Sequence, residues 1–152
     1  GFTLIELFVV IAIIGVLASI VLASLNNARK KSRDARRVTD IKQIQLALEL
    51  YFDGQSNKYP DASTSCVAGG AAYGLEDLAT SNYIPQVPRD PLNTATCYKY
   101  AASGATPTTY HLGATIEDAA NPALSGDKDF DSATAGYANG FAGTDPVYDV
   151  VP

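Results

Sequence analysis

Hydrophobic positions divide the first third of the chain into two unlike halves. Leu7 to Leu25 contains no charged residue over nineteen positions, and as a helix it would cover roughly 28 Å, close to a bilayer's hydrocarbon core. A cleaved signal peptide would have a shorter apolar core, preceded by cations rather than by Gly1-Phe2-Thr3. A core helix of a soluble domain is also a poor match, because the remaining chain is too small and polar to wrap it. Beyond Leu25 the pattern turns amphipathic. Val38, Ile41, Ile44, Leu48, Tyr51 and Phe52 recur at steps of three and four, which places them on one stripe, with Arg33, Arg36, Arg37, Lys42 and Glu49 left for wet faces. No Pro interrupts Asn26 to Asp53, and Gly54 is the expected C-cap. The pattern predicts one helix from about Phe2 to Asp53, roughly 75 Å long.

From Gly54 onward, small and polar residues dominate. A short helix is predicted at Leu75–Ala79, followed by a loop punctuated by Pro85, Pro88 and Pro91. Cys97–Ala101 and Thr108–Thr115 alternate, carry aromatic and β-branched residues, and predict a β-hairpin across SGATP. Val147–Val151 is a third strand or an ordered tail, and Asn121–Asp145 is expected to be loop. The fold class is α+β: a long N-terminal helix packed against a small antiparallel sheet. Its divisions are an apolar half-helix at 1–28, an amphipathic half at 29–53, and a globular head at 54–152.

Charge and composition sharpen this outline. The absence of Met implies a processed or trimmed N-terminus. Residues 1–53 hold seven cations and five acids, and residues 54–152 four cations and eleven acids. So acidic a head argues against nucleic acid as a partner. Cys66 and Cys97 fit one disulfide in an oxidising compartment, with two buried free thiols as the alternative. SGDKDFDS puts Asp127, Asp129 and Asp131 at alternate positions, as at the start of a Ca²⁺ loop. However, Ser132 stands where such a loop needs Gly, and Ala138 where it needs Glu. A solvated acidic turn is therefore the expectation, and a Ca²⁺ site the alternative; no other cofactor is expected. His111 lies in a predicted strand as a packed or surface residue, the two Cys have no nearby His to make a zinc site, and no G-x-S-x-G elbow occurs. These features predict no enzyme.

GFTLIE followed by LFVVIAIIGVLASIVLASL resembles the class III signal motif of type IV pilins and type II secretion pseudopilins. The resemblance is strong over residues 1–60, including NKYP at Asn57–Pro60, and moderate over 74–91, where GLEDLATSNYIPQVPRDP is similar to the loop of major pseudopilins. It implies cleavage by a prepilin peptidase between Gly1 and Phe2 and methylation of the Phe2 amine. It also implies pairing of Glu6 with the Phe2 amine of a neighbouring or the same subunit during assembly. Calcium in the C-terminal loop of major pseudopilins is likewise a family property. One departure is Ala23, where many relatives carry a Pro and the helix melts in the filament; Gly15 is the remaining weak point.

The resemblance places the precursor in the inner membrane as a single-pass protein, handled by the peptidase and an assembly platform, and then in a helical homopolymer. The positive-inside rule alone would put Arg29–Arg37 in the cytoplasm, whereas the family places this segment outside. There it either meets acidic heads of neighbours or forms a solvated face with local pairs such as Arg33–Asp34–Arg37. The first functional expectation is a type IV pilus subunit in an extracellular filament, serving adhesion, motility or uptake. The alternatives are a major pseudopilin in a periplasmic piston, a DNA-uptake competence pilin, and a membrane-anchored binding protein that never polymerises.

Overall fold

The computed structural model describes residues 1–62, 74–92 and 97–152. A single helix, α1, runs from Leu4 to Gly54, 51 residues, or about 76 Å. Thr3 caps its start, and its end differs from expectation. Gly54 is still helical, and the chain turns at Gln55, whose N–H bonds to the Tyr51 carbonyl at 2.8 Å. Ser56 and Asn57 then take left-handed φ of 57° and 61°. Gly54 also leaves room for a neighbour: a Cβ there would run into the Tyr83 hydroxyl and ring, which would have to shift.

The short helix α2 spans Glu76–Thr80. Strands β1 (Lys99–Ala102), β2 (Tyr110–Thr115) and β3 (Val147–Val150) form one antiparallel sheet in that order. The register pairs Tyr100 with Leu112, Leu112 with Val150, and Gly113 with Asp149. Because side chains alternate across a strand, Tyr100, Ala102, Tyr110, Leu112 and Ala114 share one face. They pack with Ile41, Ile44, Ala47 and Leu48 of α1 and with Leu75 and Leu78.

The opposite face, bearing Lys99, His111, Gly113 and Asp149, is covered as well. Residues 127–145 lie over it, with Phe141 stacked on His111 at 3.8 Å between ring centroids and Phe130 edge-on at 5.2 Å. That segment was expected to be loop. It is mostly irregular, with a 3-10 turn at Pro122–Gly126 before it, yet it forms a third layer of the head. This explains why β2 is buried at five consecutive positions instead of alternating. Gly113 is needed in the middle of β2 because a Cβ would press against Phe141 and Val147.

Candidate assembly helix and cation site

Among the described residues, nothing packs against the apolar half of α1. From Phe2 to Leu22 its large side chains are more than half exposed, and the most apolar eighteen-residue window, of mean hydropathy 2.9, buries nothing. By length and composition this segment can cross a membrane.

Thr3 and Glu6 organise its start. The Glu6 N–H donates to Thr3 Oγ1 at 3.3 Å, and Glu6 Oε2 accepts both the Thr3 N–H and the Thr3 hydroxyl at 2.8 Å. This reciprocal capping box satisfies two donors that the first helical turn leaves open. Its sequence signal is T-x-x-E ahead of an apolar run. Thr3 was absent from the expected site, yet it is the residue that holds the Glu6 carboxylate at the helix entrance. Gly1, Phe2 and Glu6 line the same shallow hollow.

The basic segment is neither a simple solvated face nor wholly free for neighbours. Arg37, whose side chain is 3% exposed, forks onto Asp90 through Nε at 2.6 Å and Nη2 at 3.1 Å. Its Nη1 donates to Asp34 and Glu117, both at 2.7 Å. Arg33 makes a bidentate pair with Glu117 at 2.7 and 2.6 Å. Asp34, fully buried, also accepts the backbone N–H groups of Glu117 and Asp118 at 3.0 Å. One more turn on, Asp40 accepts the Tyr98 hydroxyl at 2.6 Å. Asp34, Arg37 and Asp40 thus extend the buried stripe of Ile41, Ile44 and Leu48 in charged residues at steps of three. Arg29, Lys30, Lys31 and Lys42 stay exposed.

Environment tunes these groups. The Arg33 hydrogen bonds hold the Glu117 carboxyl down at about 2, against the opposing effect of burial and with help from Arg37. Burial opposes the Arg37 charge, but the Asp90, Glu117 and Asp34 carboxylates overcome it and keep the guanidinium protonated above its ordinary range.

The acidic residues of the C-terminal segment meet in a different set from the alternate-position triple. Asp127 and Asp129 come together with Asp145, their ligand oxygens all within 4.8 Å of one another. Asp131 turns away from this set: its Oδ1 accepts the N–H groups of Ala133 and Thr134 at 3.0 and 3.2 Å, closing its own turn. A fully solvated turn does not fit either. Both Asp127 oxygens are buried and lack a hydrogen-bond partner among the described residues. Burial, Asp149 and Asp129 raise the Asp127 carboxyl above its usual range. An orphaned buried carboxylate beside two more carboxylates suits a hard cation with oxygen ligands.

Behind this cluster His111 is fully buried. Its Nδ1 is 2.7 Å from Ser132 Oγ and its Nε2 2.7 Å from Asp149 Oδ2. The trio has the membership of a hydrolytic triad, but Ser132 is 0% exposed and its Oγ is also engaged with both the N–H and the carbonyl of Phe141. No substrate reaches it in this packing. Burial opposes the Asp149 charge, and His111 with the Phe130 and Lys128 N–H groups overcomes that effect, so its carboxyl sits below the ordinary range. Of the two cysteines, Cys97 leads into β1 and is not a free thiol, whereas Cys66 lies outside the described residues.

A type II secretion system core protein G from Vibrio cholerae is 33% identical to this chain over 116 residues, covering 68% of the chain and 71% of that protein. The chain belongs to the type IV pilin and pseudopilin family. Core protein G of Escherichia coli K12 is 37% identical over 95 residues, or 60% of the chain and 65% of that protein. A probable minor fimbrial protein of Dichelobacter nodosus is 37% identical over 90 residues, or 54% of the chain and 57% of that protein. Against the core protein G of Pectobacterium carotovorum the match spans 62% of the relative's length. No protein-family model and no solved structure matches the chain. The long apolar helix and three-stranded antiparallel sheet are those of a pilin-like fold.

Proposed function

We propose that this pilin-family chain is a filament subunit held in the inner membrane by the apolar half of α1 until it assembles. The observation that carries the proposal is a span of exposed apolar helix attached to a head with a buried core of its own. Transfer of that helix from lipid into a bundle of identical helices gains little hydrophobic energy, since both surroundings are apolar. Packing and a polar guide must therefore direct it. The guide is Glu6, preset by Thr3. Oε2 is occupied within the chain, and a neighbour's Phe2 amine, freed by peptidase cleavage after Gly1, is the complementary donor.

Between the two filament types, we favour a type II secretion pseudopilus over the surface pilus that the sequence alone put first. The core protein G names of several relatives support this order, and the fimbrial name in Dichelobacter supports the pilus as second reading. The secretion assembly platform and the peptidase are the partners this role requires. In the pseudopilus the filament is periplasmic; in the pilus it is extracellular. A structural rather than catalytic role agrees with the inaccessible Ser132. We also propose that Asp127, Asp129 and Asp145 hold Ca²⁺, which would tie residue 127 to residue 145 across the third layer of the head.

The test is Glu6→Val. Membrane insertion is expected to be intact, because a carboxylate costs more than Val in a bilayer. Assembly is expected to fall by roughly a hundredfold or more, because an unpaired amine buried among helices costs about 3–5 kcal/mol. The measurement is filament yield in sheared fractions against membrane-bound monomer. Normal filaments would remove Glu6 from the mechanism. Surface filaments at native expression would support the pilus, whereas secretion-channel genes beside this one would support the pseudopilus.

A further inference from the structure

We infer that Asp149 is the positioning residue of the cation site, shaping it through the backbone without contacting the ion. The inference rests on the Ca²⁺ reading above. Asp149 lies on β3 and is fully buried. Its Oδ1 accepts the N–H groups of Lys128 and Asp129 at 3.0 and 2.9 Å. Its Oδ2 accepts the N–H of Phe130 at 2.9 Å, with His111 Nε2 at 2.7 Å. Four partners fill the two oxygens, so Asp149 has no favourable lone pair left for a metal.

Three consecutive N–H groups converging on one anion form a nest. The chain must curl to present them, and Asp129 accordingly adopts a left-handed φ of 48°, a conformation that costs a non-Gly residue energy. The curl brings the side chains of Asp127 and Asp129, on either side of Lys128, to one point with Asp145.

The other half of the site is registered against the same carboxylate. Gly143 passes so close that a Cβ would strike Asp149 and the Phe130 carbonyl, and its N–H bonds to that carbonyl at 2.9 Å. Two residues later the chain reaches Asp145. Both segments that supply the cation's ligands are therefore placed by one buried side chain on the sheet. His111, clamped by Ser132 and Phe141, holds that side chain from the far side. The Asp149 charge adds to the attraction for a cation from the second layer.

Residues behind metal ligands typically carry 10–100-fold in affinity. The experiment uses the full chain in detergent micelles, with Ca²⁺ affinity from calorimetry and Tb³⁺ luminescence lifetimes to count waters on the ion. Asp149→Asn keeps the shape but puts an amide among the nest's N–H donors, and Asp127→Asn removes a ligand directly. We expect both variants to lose roughly 10–100-fold in affinity, and the Tb³⁺ bound to Asp149→Asn to gain water as Asp129 drifts. That gain is a change which lower fold stability alone would not produce. Loss in Asp127→Asn with wild-type affinity in Asp149→Asn overturns the positioning role and leaves the site standing. Wild-type affinity in Asp127→Asn overturns the site itself. If Asp149→Asn does not fold, Gly143→Ala, which displaces the carboxylate while keeping every charge, decides instead. Wild-type affinity and hydration in that variant overturn the inference.

Discussion

Replacing Arg37 with Met tests whether the charged turns of α1 hold the head onto the helix. Met roughly matches the length of the side chain but removes its charge and four hydrogen bonds, to Asp90, Asp34 and Glu117. What remains is unevenly served. Asp34 keeps the N–H groups of Glu117 and Asp118, and Glu117 keeps Arg33. Among the described residues, Asp90, with only 7% of its side chain exposed, keeps just the Leu92 N–H. Stranding buried charge in this way costs about 3–5 kcal/mol, a large share of the roughly 5–15 kcal/mol that holds a domain folded. The assay is urea unfolding of the chain in micelles, followed by near-ultraviolet circular dichroism of the buried Tyr98, Tyr100 and Tyr110. With a slope near 2 kcal/mol per molar urea, the midpoint should fall by about 2 M. Arg37→Lys keeps the charge but not the fork, and should lose less. pH gives a second, signed readout. The folded Glu117 carboxyl is depressed to about 2, so its contribution is present above the unfolded value and lost as pH falls from about 4.5 to 2. In Arg37→Met the stranded carboxylates gain by protonation, and stability should rise as pH falls from 7 towards 5. A variant within 1 kcal/mol of wild type at pH 7, where the linkage predicts ~3–5, would refute the account of Arg37 as the fastening of the head.

Tyr98→Phe removes the hydroxyl that donates to buried Asp40, leaving Arg36 at 3.6 Å as its charged partner; a loss of about 1–3 kcal/mol in the same urea assay is expected. Cys66 and Cys97 are expected to form one bridge closing a loop that contributes roughly 3–4 kcal/mol. Thiol labelling of the unreduced, denatured chain should therefore find no reactive sulfur, and two labelled thiols would reject the bridge.

Local pattern determined the elements that depend on nearest neighbours along the chain. An uncharged run from Leu7 to Leu25 allows little but an apolar helix, and the three- and four-residue steps from Val38 to Phe52 fix the face it turns inward. Alternation of residue types in β1 and β2 predicted the hairpin, because successive side chains of a strand point to opposite faces. The GFTLIE start pointed to the family, and its T-x-x-E contained the capping box, though its importance lay in geometry. Tertiary structure alone decided which charges are interior. Asp34, Arg37 and Asp40 look like wet positions until Asp90, Glu117 and Tyr98, all at least fifty residues away, arrive to satisfy them. The cluster of carboxylates proposed to hold a cation followed the same logic. Asp131 has the spacing, but it spends its oxygen on its own turn, whereas Asp145 is brought in by a chain reversal that no local spacing encodes. The third layer was hidden because three of its N–H groups end on one distant carboxylate, Asp149, and its backbone pairing consists of isolated bridges such as Ala102 with Ala138 rather than a regular ladder. A buried charge is tolerable only where several donors converge on it, and that convergence is a property of the folded chain.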